Sequence, residues 1–401
     1  MSSPDPAAAP PPAAPSPSPT PARADNGRRT DWVRQLLVSA LAILLALVVG
    51  AVLVIVSDPQ VTATYSYFFA RPTDALSASF TAVADAYRAL FLGAFGGMNQ
   101  LRETVVQTTP LLCAGLGVTL AFRAGLFNIG AQGQLIAGAF FAAWAGFGLH
   151  LPPFVHMLLA VAAGILGGAL WGGLVGLLKA RTGAHEVITT IMLNYVAANL
   201  LGWMLMTSTF QQPGSDNPIS PYVDQTAMYP GVNGWSVGSL VALAAVGLVW
   251  WLLERSTLGF ELRAVGANPD AARTAGMSVG RTYVMAMLIA GGLAGLAGTQ
   301  MVLGRGLQLT DGIAGTIGFD AITVALLGRG TPLGTLGAAI LFGALAAGST
   351  QMEAATGTPV TLTIVLQATI VLLVAAPALV RSIFRIRTGR SGGLLAKGWN
   401  G

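Results

Sequence analysis

Long apolar runs separated by short polar ones make up almost the whole chain. Continuous stretches rich in Ala, Leu, Gly and Val occupy about 36–56, 104–122, 129–148, 154–178, 186–206, 236–253, 282–303, 313–328, 333–350 and 361–380. Most approach the roughly 20 residues that an α-helix needs to cross the hydrocarbon core of a bilayer. None shows the apolar/polar alternation of a membrane β-strand. The pattern therefore predicts an all-α, polytopic transmembrane bundle of about ten spans, with 313–328 the shortest. The run at 36–56 exceeds the usual core of a signal peptide and is followed by Asp58-Pro59-Gln60 rather than a small-residue cleavage site, so it is read as the first span. Three connections are long, at about 57–103, 207–235 and 254–281.

Composition agrees. Hydrophobic residues make up 54% of the 401 and charged residues 9%, against about 25% charged in soluble domains, which excludes a soluble protein. Residues 1–30, a Pro/Ala/Ser tract, are too poor in apolar bulk to pack and read as a disordered tail; 31–388 form the membrane domain and 389–401 a flexible C-terminal tail. The net charge of +5 reports orientation rather than nucleic-acid binding. With the N-terminus in the cytoplasm, 17 basic residues fall inside and only Arg71, Arg88, Arg102 and Arg305 outside, so both termini are expected to be cytoplasmic. The single cysteine, Cys113, lies within an apolar run and reads as packing, and the three histidines lack the spacing of zinc ligands, so no metal or cofactor is assigned.

Candidate chemistry sits where polar groups interrupt the runs. Gly125-Leu126-Phe127-Asn128-Ile129-Gly130-Ala131-Gln132-Gly133-Gln134 places amides where the chain re-enters the membrane. Buried amides need partners, so Asn128, Gln132 and Gln134 either satisfy backbone at a helix break or line a solute pathway. Asn194 poses the same choice, and Asp320 is the unusual intramembrane acid. At the cytoplasmic boundary, His185 and Glu186 beside Arg181 suggest either an ion pair at a helix start or a partner contact. Gly164, Gly168, Gly172 and Gly176, and then Gly291 and Gly295, form small-residue stripes that let helices approach closely. In the loop at 254–281, Asn268 is placed to cap a short helix with Pro269 at its first position and Asp270 in its first turn, ending at Gly276. Val118–Arg123 is weakly echoed by Ile322–Arg329, a hint of the internal repeats common in transporters.

At these residues the sequence resembles the permease subunits of bacterial ABC importers for simple sugars and nucleosides, related to branched-chain amino acid permeases. The resemblance covers about 35–385 and rests on GLFNIGAQGQ (125–134), AHEVITTIMLNY (184–195), FELRAVGANPDAARTAG (260–276) and GFDAITVALLGRGTPLG (318–334). The AHEVITTIMLN string is most similar to the nucleoside-uptake branch. It implies a type II importer permease-like fold in the plasma (inner) membrane of a bacterium, paired with a second permease, identical or homologous, cytoplasmic ABC ATPases and an extracytoplasmic substrate-binding protein. It implies further that Arg263, Asn268, Asp270, Ala271, Ala272, Arg273 and Gly276 form the ATPase-coupling loop, with Asp270 where the family has Glu. The chain holds no phosphate-binding loop of its own, since neither Lys179 nor Lys397 follows the required glycines. The competing reading is an ion-coupled secondary transporter using Asp320 and Glu186. No catalytic motif supports an intramembrane enzyme.

Overall fold

The computed structural model describes residues 26–232 and 234–384; the expected C-terminal tail and residues 1–25 lie outside them. Every predicted apolar run contains a helix. These are α1 (Asn26–Ser57), α4 (Met98–Arg123), α5 (Ala131–Gly148), α6 (Pro153–Thr182), α7 (Glu186–Leu205), α8 (Val237–Arg255), α11 (Val279–Thr299, continued by a π turn at Gln300–Gly304), α12 (Ile317–Leu327), α13 (Pro332–Thr356) and α14 (Val360–Ala375). Seven of them are long and apolar enough to cross a membrane. The first begins at Asn26, inside the segment read as the tail. α12 is no full span: its 11 residues reach only about 16 Å at 1.5 Å per residue, half the thickness of a bilayer core.

Five helices escaped the apolar pattern. The connection at 57–103 holds α2 (Pro59–Thr64) and the 24-residue α3 (Pro72–Phe95). Asp58 caps α2, accepting from the amides of Gln60 and Val61 at 2.8 and 3.3 Å. α3 starts with Pro72 at its first position and buries Ala86, Leu90, Gly93 and Ala94. The loop at 254–281 contains α9 (Thr257–Ala267) before the expected α10 (Pro269–Thr274), and α15 (Pro377–Ile383) follows α14. Residues 207–235 include the first strand of a small antiparallel ladder, β1 (Gly231–Val232) with β2 (Trp235–Ser236).

Two packing regimes hold the bundle. α5, α6 and α11 meet along the glycine stripes: a Cβ on Gly168 would stand 2.3 Å from the Gly291 carbonyl oxygen, one on Gly291 2.3 Å from the Gly168 oxygen, and one on Gly138 2.3 Å from the Gly295 Cα. Backbone lies on backbone, the geometry that small residues permit where lipid gives no hydrophobic drive. On the other flank, Ala42, Ala46, Ala86, Leu90, Leu345, Leu366 and Ile370 build a second cluster from α1, α3, α13 and α14, and the Tyr87 hydroxyl donates to the Leu47 carbonyl.

Candidate functional site: two helix breaks that meet

The interruption at 124–130 is a non-helical chain that climbs into the bundle beside α7. At its start, Gly125 adopts a φ of +73°, and a Cβ there would meet Gly266 of α9 at 3.0 Å. Further in, a Cβ on Gly130 would touch Thr190 at 3.0 Å. Asn194, two turns into α7, then clamps the end of the break: its amide nitrogen donates to the Ile129 carbonyl at 2.9 Å and its oxygen accepts from the Gly133 amide at 2.8 Å. Asn128 and Gln134 bind each other through both amide groups, at 3.0 and 3.2 Å, and Asn128 also accepts from the Gly130 amide at 2.9 Å.

A second interruption, at 305–316, leads into α12. Gln132 joins the two: its nitrogen donates to the Gly315 carbonyl at 2.7 Å and its oxygen accepts from the Gly318 amide at 2.8 Å. The N-termini of α5 and α12 therefore lie together inside the bundle. At the far end of α12, Arg123 Nε donates to the Gly330 carbonyl at 2.7 Å, so the two echoing segments meet at their basic ends. Irregular backbone at membrane depth is tolerated only where protein or a polar cavity satisfies it, and helices whose N-termini stop mid-membrane are how transporters offer positive dipole ends to polar solutes.

The sequence-predicted residues divide accordingly. Asn128, Gln134 and Asn194 are buried; Asn128 and Asn194 bond backbone within or just after the break, and Gln134 bonds the Asn128 side chain. Gln132 is half-buried. Asp320, also half-buried, sits in the first turn of α12 and accepts from the Thr316 hydroxyl at 2.7 Å. Gly315, Thr316 and Phe319 beside it are exposed, and of these Thr316 was missed in the sequence. A hydroxyl four residues before an intramembrane acid is the signal that would have found it.

At the basic end, Glu186 pairs with Lys179 at 2.6 Å, not with Arg181, which is exposed; Lys179 in turn lies 5.3 Å from the centre of the Tyr283 ring. His185 is exposed and makes no capping bond. Asn268 caps α10 as expected, accepting from the amides of Asp270 and Ala271, both at 3.0 Å. Gly276 follows at a φ of +87°, and Arg273 pairs with Asp270 at 3.1 Å on the exposed side. Ala272 is 4% exposed and packs with Val265 and Val279, and the Met277 amide, bonded to the Ala272 carbonyl at 3.0 Å, folds the chain back over it. Ala271, Arg273 and Thr274 face outward. Arg263 is half-buried on α9.

Residues 100–375 match the family described as branched-chain amino acid transport system / permease component. The chain is 38% identical over 356 residues to the guanosine ABC transporter permease protein NupP of Bacillus subtilis, covering 87% of this chain and 95% of the relative. It is 36% identical to the nucleoside ABC transporter permease protein NupB of Lactococcus lactis, covering 66% and 76%. A glucose ABC transporter permease protein of Haloferax volcanii is 34% identical, with coverage of 72% and 79%. With paired helix breaks, a capped loop helix and these relatives in agreement, the chain belongs to this permease family and is a multi-pass membrane subunit of an ABC importer.

Proposed function

We propose that this subunit moves a nucleoside across the bacterial plasma membrane. It works with a second permease chain, a cytoplasmic ABC ATPase that docks on α10, and an extracytoplasmic binding protein that delivers the solute. The observation that carries the reading is the extent of the likeness to the guanosine permease, nearly the whole of that protein. Both termini face the cytoplasm, so the basic end carrying Arg123, Lys179 and α9–α10 is the ATPase side. The solute passes the exposed faces of Gln132, Thr316 and Asp320, where an amide, a hydroxyl and a carboxylate offer donors and acceptors to hydroxyl-rich or heterocyclic solutes. The glucose relative favours a simple sugar as the second reading.

Uptake of a labelled panel of nucleosides and sugars, in cells with and without the gene, separates the two. Gene-dependent nucleoside accumulation is expected, and accumulation of sugar alone moves the assignment to the sugar branch. Reporter fusions at Ser278 and Asn217 test orientation: a cytoplasmic signal at the first and an external one at the second are required. For docking, Ala271→Trp places a bulky group on the outward face of α10 and is expected to remove the ATPase on co-purification while leaving the permease folded.

A further inference from the structure

One face of α12 brings a hydroxyl, an aromatic ring and a carboxylate together at the second break. Thr316, Phe319, Asp320 and Thr323 recur at the i, i+3, i+4, i+7 spacing that lines one side of a helix, while Gly318, Ala321, Val324 and Ala325 are buried on the other. Side chains on a helix lean toward its N-terminus, so residues three and four places on both reach back over Thr316. For Asp320 this is seen directly in the 2.7 Å bond from the Thr316 hydroxyl to its Oδ2. The Phe319 amide bonds the Thr316 carbonyl at 2.9 Å, and its side chain is exposed. Among the described residues its ring pairs with no other ring.

An acid at membrane depth faces an interior or a cavity and not lipid, and Phe319 shares that face. Thr316 occupies one of about four acceptor positions on the carboxylate, and among the described residues no cation pairs with Asp320. The neighbouring amide of Gln132 is already committed to Gly315 and Gly318. What this face still offers is therefore a pair of acceptor oxygens beside an open aromatic ring. A flat heterocycle with two adjacent N–H donors on one edge satisfies both at once. Among the common nucleobases only guanine has such an edge, at N1–H and N2–H; adenine and cytosine present a donor beside an acceptor, and uracil and hypoxanthine a single ring N–H. Proteins that read an unstacked base do so in this way, by hydrogen bonds to that edge and by an aromatic group on its face.

We infer that Asp320 and Phe319 are specificity-determining residues of the solute path, Asp320 reading the N–H edge of a guanine-type base and Phe319 holding its face. The inference rests on the reading of the solute as a nucleoside, and narrows it to one class of purine.

The test uses the complete transporter, both permeases with their ATPases, in nanodiscs without the binding protein, so that the preference of the delivering protein does not enter. Displacement of labelled guanosine by unlabelled competitors is measured. Guanosine is expected to compete at least about five-fold better than adenosine or 1-methylguanosine, the lower end of what a bidentate contact discriminates, with inosine between them. Asp320→Asn offers one donor and one acceptor, the pattern that suits adenine, and should bring the guanosine-to-adenosine ratio to unity or below. Phe319→Leu should weaken both nucleosides about five-fold or more and leave their ratio unchanged, since stacking tolerates any base. The proposal falls if 1-methylguanosine competes as well as guanosine, if Asp320→Asn keeps the ratio, or if the complex binds no guanosine although the gene drives guanosine uptake. Should Asp320→Asn not assemble, the competitor series on the unmodified protein decides. Failure of the nucleoside reading looks different: the gene would drive uptake of sugar alone, and labelled glucose, not guanosine, would bind the complex.

Discussion

The glycine seam and the paired helix breaks sit side by side and are built on opposite principles. Along α5, α6 and α11, backbone presses on backbone at Gly138, Gly168, Gly291 and Gly295, so the seam has one fit there. At 124–130 and 305–316 the backbone is irregular, and much of its fastening runs through the side-chain amides of Asn194 and Gln132, which can be released one at a time. The bundle thus sets an unyielding wall against a chain stitched by discrete, exchangeable bonds. Transport machinery needs both, since a moving part works only against one that stays still.

The largest test of this contrast is Gly168→Leu. Its Cβ would fall 2.3 Å from the Gly291 oxygen and 2.5 Å from the Gly295 Cα, and neither backbone has room to move. Overpacking costs typically about 1–3 kcal/mol and occasionally more. Because the obstacle here is backbone, the folded, monodisperse fraction in detergent chromatography is expected to fall at least about ten-fold; an undiminished peak would mean that the seam can open. Next is Asn194→Leu, which leaves the Ile129 carbonyl and Gly133 amide without their buried partner, a loss of about 1–3 kcal/mol read as a lowered Tm. Gln132→Leu should cost less stability, under about 1 kcal/mol, because its site is half-exposed, yet it should lower uptake more than Asn194→Leu does per degree of Tm lost. The reverse order would make Gln132 a fastening and Asn194 the pathway group. The smallest effect is expected for Arg273→Ala, whose exposed ion pair with Asp270 is worth about 0–1 kcal/mol and whose removal should weaken ATPase co-purification only slightly.

What could be read from the sequence follows the same division. The glycine stripes declare themselves by spacing, and the structure puts Gly168 and Gly291 in direct opposition as that spacing requires. The capped helix at 269–274 is equally legible, because Asn268, Pro269 and Asp270 act locally. Asn128, Gln134 and Asn194 were visible as amides needing partners, but whether the partner is protein or solute depends on long-range contacts, such as Asn194 with Gly133, that no local pattern encodes. Helix α3 stayed hidden because Asp74, Asp85 and Arg88 interrupt its apolar residues; its signal was the four-residue spacing of Ala82, Ala86 and Leu90 behind a Pro72 start. The length of α12 was hidden for the converse reason: apolar Ile313 and Ala314 extend the run, while Gly312 and Gly315 keep that stretch out of the helix. Ala272 shows the limit most plainly: nothing in the local pattern of the loop says that it turns inward against Val265 and Val279.

The pairing of α1 with α14 fixes an order of events during synthesis. About 300 residues separate the end of one from the start of the other, and at about 5–20 residues per second the ribosome takes roughly 15 to 60 seconds to reach the partner. Through that interval α1 stands in lipid with α2 and α3 as its neighbours. It is the most apolar of the seven long spans and keeps most of its surface unburied even in the finished bundle. A segment that must wait alone has to be at home in hydrocarbon before it has neighbours, whereas α4, made later and buried on most sides, carries the threonines and glutamines that only a crowd of helices makes tolerable.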